Sequence, residues 1–181
     1  MGIRAGEKTT VRSKRLDLAL LEPALLDALI AFDRPAIGRL APYAVPTDFP
    51  NDDQREFLRF RRGQLQTDPA RYPWSVRAIV LRAERRMIGF VNFHGAPGVN
   101  DNGTVGALEL GWTVFPTERQ QGYATETAVA LMEWATETHG VRHFISSTTP
   151  DNRASLRVHE KLGFAQTGEF IEGELIFELR R

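Results

Sequence analysis

Residues 119–135 read "RQQGYATETAVALMEWA". A short polar turn with a single glycine, Gly122, runs directly into an amphipathic pattern. Ala124, Ala128, Leu131, Met132 and Ala135 recur at i, i+4, i+7, i+8 and i+11, the period of a helix with one buried stripe. The first amides of a helix have no helical partner and carry about half a positive charge from the aligned peptide dipoles, so such an end draws anions. A glycine there lets the backbone come close to a ligand because it has no Cβ. Arg119, three residues earlier, offers a fork of donors to a phosphate oxygen. By chemistry this turn suits a pyrophosphate; the plain alternative is a tight turn with a solvated arginine. A dinucleotide-binding turn needs three glycines and a P-loop ends in Gly-Lys-Ser/Thr, and this stretch has neither.

Working outward, "ALELGWTVF" (107–115) before the turn predicts a strand halted by Pro116. After the helix, Gly140 is a stop, "VRHFISSTT" (141–149) a strand, and "DNRASLRVHEKLGF" (151–164) a short helix with Asp151 or Asn152 as cap and Gly163 at its end. "AQTGEFIEGELIFELRR" (165–181) predicts two short strands. Upstream, "WSVRAIVLRAE" (74–84) and "RMIGFVNFHG" (86–95) have the spacing of a hairpin, and "APGVNDNGTVG" (96–106) is a loop by its turn residues. "TTVRSKRLDLALLEP" (9–23) begins as one strand ending at Pro23. "PALLDALIAFDRPAIGRLAP" (23–42) predicts a helix with Leu25, Leu29 and Phe32 on one stripe. A further helix is expected at "NDDQREFLRFRRGQLQ" (51–66), capped by Asn51 or Asp52, with Phe57, Leu58 and Leu65 inward. This order of elements is that of one mixed α/β or α+β domain spanning residues 1–181, with 1–10 a flexible extension.

Composition narrows the function. With 42% apolar and 25% charged residues the chain is of ordinary globular type. Its formal net charge of zero gives no reason to expect nucleic acid or an anionic membrane as partner, and no apolar run reaches the roughly 18 to 20 residues of a membrane helix. The N-terminus lacks the apolar core of a secretory signal, and Gly6 stands where a myristoylation motif has Ser or Thr. There are no cysteines, which excludes disulfides, thiolate metal sites and a cysteine nucleophile and fits a cytoplasmic location. The histidines, His94, His139, His143 and His159, show no metal-ligand spacing, so no metal is expected.

The motifs together resemble the GNAT superfamily of acyl-CoA-dependent N-acyltransferases. That family's cofactor motif is Arg or Gln, two residues, Gly, one residue, then Gly or Ala; Arg119-Gln120-Gln121-Gly122-Tyr123-Ala124 fits each fixed position, after a strand and at a helix start. "NRASLRVHEKLGF" is similar to the second signature, an Asn with a small residue three on and a closing Leu-Gly-Phe. "RSKRLDLALLEP" (12–23) resembles the first strand of the branch that includes ribosomal-protein alanine N-acetyltransferases.

The resemblance implies a single-domain fold whose mixed sheet splays between the family's fourth and fifth strands, opening a slot for the pantetheine arm of acetyl-CoA. It implies that backbone groups of Trp112, Thr113 and Val114 bond that arm, that the amides from Arg119 to Ala124 (Arg119, Gln120, Gln121, Gly122, Tyr123, Ala124) hold the pyrophosphate, and that Asn152 bonds the pantetheine from across the slot. For Asn152 plain helix capping is the alternative. Transfer to an amine needs a base, and the resemblance points to Glu109, which by alternation shares a strand face with Gly111 and Thr113. A buried Glu merely paired with an arginine is the alternative. The leaving thiolate benefits from a proton donor. Many family members have a Tyr four residues before the Leu-Gly-Phe glycine; here His159 stands there, with Ser155 one turn earlier on the same helix face, and both are candidates, Ser155 also as a cofactor-binding residue. Two acidic runs, Asp48, Asp52, Asp53 and Glu56, and Glu169, Glu172 and Glu174, fall in regions that in the family wall the amine side. They suit a cationic acceptor: a peptide N-terminus, a polyamine or an aminoglycoside. A GNAT-like sensor that binds acyl-CoA without turnover is the rival reading, and a homodimer through a sheet edge is left open.

Overall fold

A computed structural model describes residues 10–100 and 103–181. The expected extension at 1–10 lies outside the described residues except for Thr10, as do Asp101 and Asn102 of the expected loop. Two compact units are resolved, one ending at Phe90 and the other running from Val91 to Arg181.

In the first unit the expected single strand is a hairpin, β1 (Thr10–Arg12) and β2 (Leu16–Leu20), antiparallel with Thr10 opposite Ala19. Ser13 makes the turn: its Oγ accepts from the Leu16 amide at 3.0 Å, a side-chain turn that the alternation of the flanking residues conceals. β2 buries Leu16, Leu18 and Leu20 and pairs antiparallel with β3 (Arg77–Leu81). The expected helix over 23–42 is two, α1 (Pro23–Ile30) and α2 (Arg34–Leu40). Pro35 cannot donate to a carbonyl one turn back, and Asp33 instead caps the second helix, accepting from the Ala36 amide at 2.9 Å. Phe32 therefore leaves the apolar stripe for the break, at φ 54°, and is exposed. α3 (Asp52–Thr67) starts from Asn51 through a reciprocal capping box with Gln54 and buries Leu58 and Leu65, while Phe57 is half-buried.

β4 (Arg86–Phe93) carries the chain across the boundary between the units. From it the strand order in the second unit runs β4, β5 (Leu108–Val114), β6 (His143–Thr148), β8 (Glu174–Arg180), β7 (Ala165–Ile171). β5 and β6 are parallel, joined by the crossover helix α4 (Tyr123–His139), and β6, β8 and β7 are antiparallel. Ala128, Leu131, Met132 and Ala135 are buried as the period requires, while Ala124 is half-buried. α5 (Arg153–Leu162) connects β6 to β7 and ends at Gly163, whose φ of 79° is the left-handed stop.

Candidate active site

The site grows from the way β5 leaves β6. Their parallel register pairs Leu108 with Phe144 and Glu109 with Ile145, and among the described residues goes no further. Beyond that point Gly111, Trp112 and Thr113 are only half-buried before Val114 closes the strand. Backbone groups that lose a sheet partner still need hydrogen bonds, so this stretch is ready to bond an extended ligand.

A 3-10 turn, Pro116–Glu118, leads from β5 to the glycine turn. Arg119 donates from Nε to the Val114 carbonyl at 3.1 Å, tying the turn to the end of β5. That bond occupies one of the donors expected to reach a phosphate; Arg119 as a residue is exposed. Gln120 and Gly122 both have left-handed backbone, φ 65° and 79°. The first helical bond of α4 runs from the Glu126 amide to the Gly122 carbonyl at 3.0 Å, so the amides before it have no carbonyl one turn back. Buried Tyr123 donates its hydroxyl to Gln121 Oε1 at 3.3 Å, fixing the side chains of the turn. A 17-residue helix opening behind two left-handed residues is a fitting anion cradle.

Asn152 caps α5, its Oδ1 accepting from the Ser155 amide at 3.2 Å. His159 is fully buried. Its ring stacks on Phe177 at 4.3 Å, meets Phe164 edge-on at 5.5 Å and lies 5.1 Å from Trp112 of β5. Burial lowers its pKa to about 4, only partly opposed by the Ser155 carbonyl, which accepts from Nδ1 at 2.9 Å. The ring is therefore neutral at pH 7 with its proton on Nδ1, and Nε2 is a buried acceptor with no hydrogen-bond partner among the described residues.

Glu109 and Trp112 are three residues apart and point to opposite faces of β5. Glu109 is thus not brought together with His159. It is 1% exposed, and beside its Oε1 at 3.2 Å lies Nδ1 of His94. The amide of His94 also donates to the Glu109 carbonyl at 2.9 Å, extending the pairing of β4 with β5 by one residue. His94 was absent from the expected site. Asn92 and His94 alternate onto one face, but the thirteen-residue stretch 95–107 hides from sequence which strand they meet.

Of the acidic runs, Glu174 accepts from the Ser147 hydroxyl of β6, and Asp52 pairs with Arg55 at 3.1 Å. In the first unit a hollow of about 420 Å³ is lined by Ile37, Tyr43 and Val45 with Arg34 and Arg85, and holds none of the candidate residues. Both arginines donate to backbone carbonyls there, Arg34 to Phe49, Val45 and Pro46 and Arg85 to Pro42. Among the described residues no His, Asp and Glu side chains group to hold a metal ion, and no helix is long and apolar enough to cross a membrane.

A profile of the acetyltransferase (GNAT) domain matches residues 15–165, spanning the strand, turn and helix described above. The chain belongs to the GNAT family. A Bacillus subtilis (strain 168) protein named uncharacterized N-acetyltransferase YjdG is 29% identical over 154 residues, 85% of this chain and 88% of its own length. Aminoglycoside N(6')-acetyltransferase type 1 of Salmonella typhimurium (strain LT2) is 39% identical over 97 residues, 52% of this chain and 66% of its own. In fold the chain is similar to RimL, the ribosomal L7/L12 alpha-N-protein acetyltransferase, solved in complex with coenzyme A (TM-score 0.60, 16% identity, 94% of this chain and 97% of that one). This GNAT protein is an N-acetyltransferase of α/β construction with a mixed sheet, as its motifs imply.

Proposed function

We propose that this GNAT protein moves the acetyl group of acetyl-CoA to a primary amine by direct attack in a ternary complex, and that the amine is the N-terminus of a protein or peptide. The observation that carries the transfer chemistry is the early end of the β5–β6 register, next to the helix-start cradle of α4. Bound acetyl-CoA supplies the activated thioester. Trp112, Thr113 and Val114 offer backbone groups to the pantetheine, as does Asn152 from the start of α5. The turn from Arg119 to Ala124 holds the pyrophosphate. The basic function that removes the amine proton, as the C–N bond forms and the C–S bond breaks, comes from the Glu109 side of β5, where His94 lies against the carboxylate. Ser155 gives the departing thiolate its proton, because neutral His159 has none on Nε2 to give and serves as a wall beside Trp112.

For the acceptor, the acidic runs suit a cation of any class, peptide, polyamine or aminoglycoside, and the sequence likeness to the ribosomal-protein branch favours a peptide α-amine. The identity to the aminoglycoside enzyme favours an aminoglycoside as the second reading. The test is release of CoA thiol from acetyl-CoA with peptides of varied N-terminus, spermidine and kanamycin. A chain without cysteine gives a thiol reagent no protein background. Release with peptides alone supports the proposal, release with kanamycin alone transfers it to the second reading, and acetyl-CoA binding without release points to a sensor. The cofactor half is tested separately. Gly122→Val and Arg119→Ala should each weaken acetyl-CoA binding about tenfold in calorimetric titration, the scale of one lost bond to a charged group. Unchanged affinity in both removes the pyrophosphate assignment.

A further inference from the structure

The base needs access as well as basicity. The Glu109 side chain is 2% exposed, whereas that of His94 is 20% exposed. A carboxylate so enclosed is out of reach of an amine arriving from solvent, while the imidazole in contact with it is not. A carboxylate only accepts hydrogen bonds, so Glu109 Oε1 at 3.2 Å selects the tautomer with the proton on His94 Nδ1 and leaves Nε2 as the basic nitrogen.

Where Nε2 lies is fixed by a glycine. A Cβ built on Gly111 would sit 3.2 Å from His94 Nε2 and 3.8 Å from Asn92 Oδ1. The basic edge of the ring is therefore laid over Gly111, two residues past the last pairing of β5 with β6, where the strand is half-buried. Burial, tautomer and position agree: the carboxylate is inside, the imidazole is over the strand that leaves the sheet, and its Nε2 lies beside Gly111 of that strand.

We infer that His94, oriented by Glu109, takes the proton from the attacking amine. This rests on the acetyl-transfer reading above and names its base: Glu109 is a positioning residue that also balances the charge of the imidazolium. In the step, the amine nitrogen bonds to the thioester carbonyl carbon and its proton passes to His94 Nε2. The C–S electron pair leaves with sulfur, which is protonated on the opposite side of the slot, and His94 returns its proton to solvent.

The test uses the full chain with acetyl-CoA and the amine of the panel that wild type turns over fastest. His94→Ala should lower kcat on the order of 100-fold, the low end for a lost general base, with acetyl-CoA affinity by calorimetry unchanged. Added imidazole should restore at least roughly tenfold of that loss, since it supplies the missing base to the space vacated. His94→Gln, which keeps the bulk and serves as a second variant should the alanine fail to fold, should show the same loss without rescue. Glu109→Gln should lose only on the order of tenfold and be insensitive to imidazole, because the base is still present. Two results overturn the inference: His94 variants at wild-type kcat, or Glu109→Gln falling below His94→Ala with no rescue by imidazole, which returns the proton to Glu109. Both leave the acetyltransferase standing, as wild type is active in each. Wild type that binds acetyl-CoA yet releases no thiol with any amine would overturn the parent reading and this inference together.

Discussion

His159 shows how one residue's environment decides its chemistry. On an exposed helix face it would titrate near neutrality and could donate a proton; caged by Trp112, Phe164 and Phe177 it is held neutral. Its folded pKa of about 4 lies below the unfolded value of 6.5, so the unfolded chain binds the extra proton more readily. The resulting stabilisation is whole above pH 6.5 and is lost as pH falls toward 4. Between pH 7 and pH 4.5 wild type should lose about 2 kcal/mol through this group alone, from a shift valued at 1.36 kcal/mol per unit. His159→Phe keeps the aromatic packing and removes the titration, so its denaturant midpoint should change less over that interval; equal slopes in the two proteins would refute the assignment. Gly111 offers a second reading at this scale. Its φ is not left-handed, so alanine is conformationally allowed, but the added methyl would meet His94 Nε2 at 3.2 Å. Gly111→Ala should therefore cost turnover, on the order of tenfold, without lowering the melting temperature by more than a few degrees. Kinetics and a thermal scan on the same preparation check both halves.

At the scale of elements, Asn152 is where folding and binding overlap. Its Oδ1 caps α5, and alanine there should cost about 1 kcal/mol by chemical denaturation. Aspartate caps as well but lacks the side-chain N–H, so Asn152→Asp should keep stability while weakening acetyl-CoA binding if the amide reaches the pantetheine. Affinity unchanged in the aspartate variant would leave Asn152 as a cap alone. The elements themselves were legible wherever one local signal sufficed: Gly122, Gly140 and Gly163 mark the helix ends they were read to mark, each at positive φ. The reading failed where two local signals competed. At 23–42 the apolar period spoke for one helix, while Asp33 and Pro35 made two. At 10–20 alternation continued through a turn that Ser13 closes with its own side chain.

Across the whole chain, the turn proposed to hold the pyrophosphate, Arg119 to Ala124, is one contiguous stretch of sequence. The proposed base and its positioning partner are not: His94 and Glu109 meet through strand pairing over a long connection, and no spacing rule reaches that far. Composition, by contrast, speaks for the molecule at once. A chain of 181 residues with no cysteine has no thiol on which to park an acetyl group. The direct attack proposed above has both substrates bound together before transfer. Initial rates measured over a grid of acetyl-CoA and amine concentrations should give intersecting reciprocal lines, and the intact mass after incubation with acetyl-CoA alone should be unchanged. Parallel lines with a gain of one acetyl group would show that another side chain, Ser155 being the hydroxyl one turn before His159, takes the acetyl first. In that case an acetyl-ester intermediate replaces direct attack, and the Ser155→Ala variant should lose the adduct and the activity together.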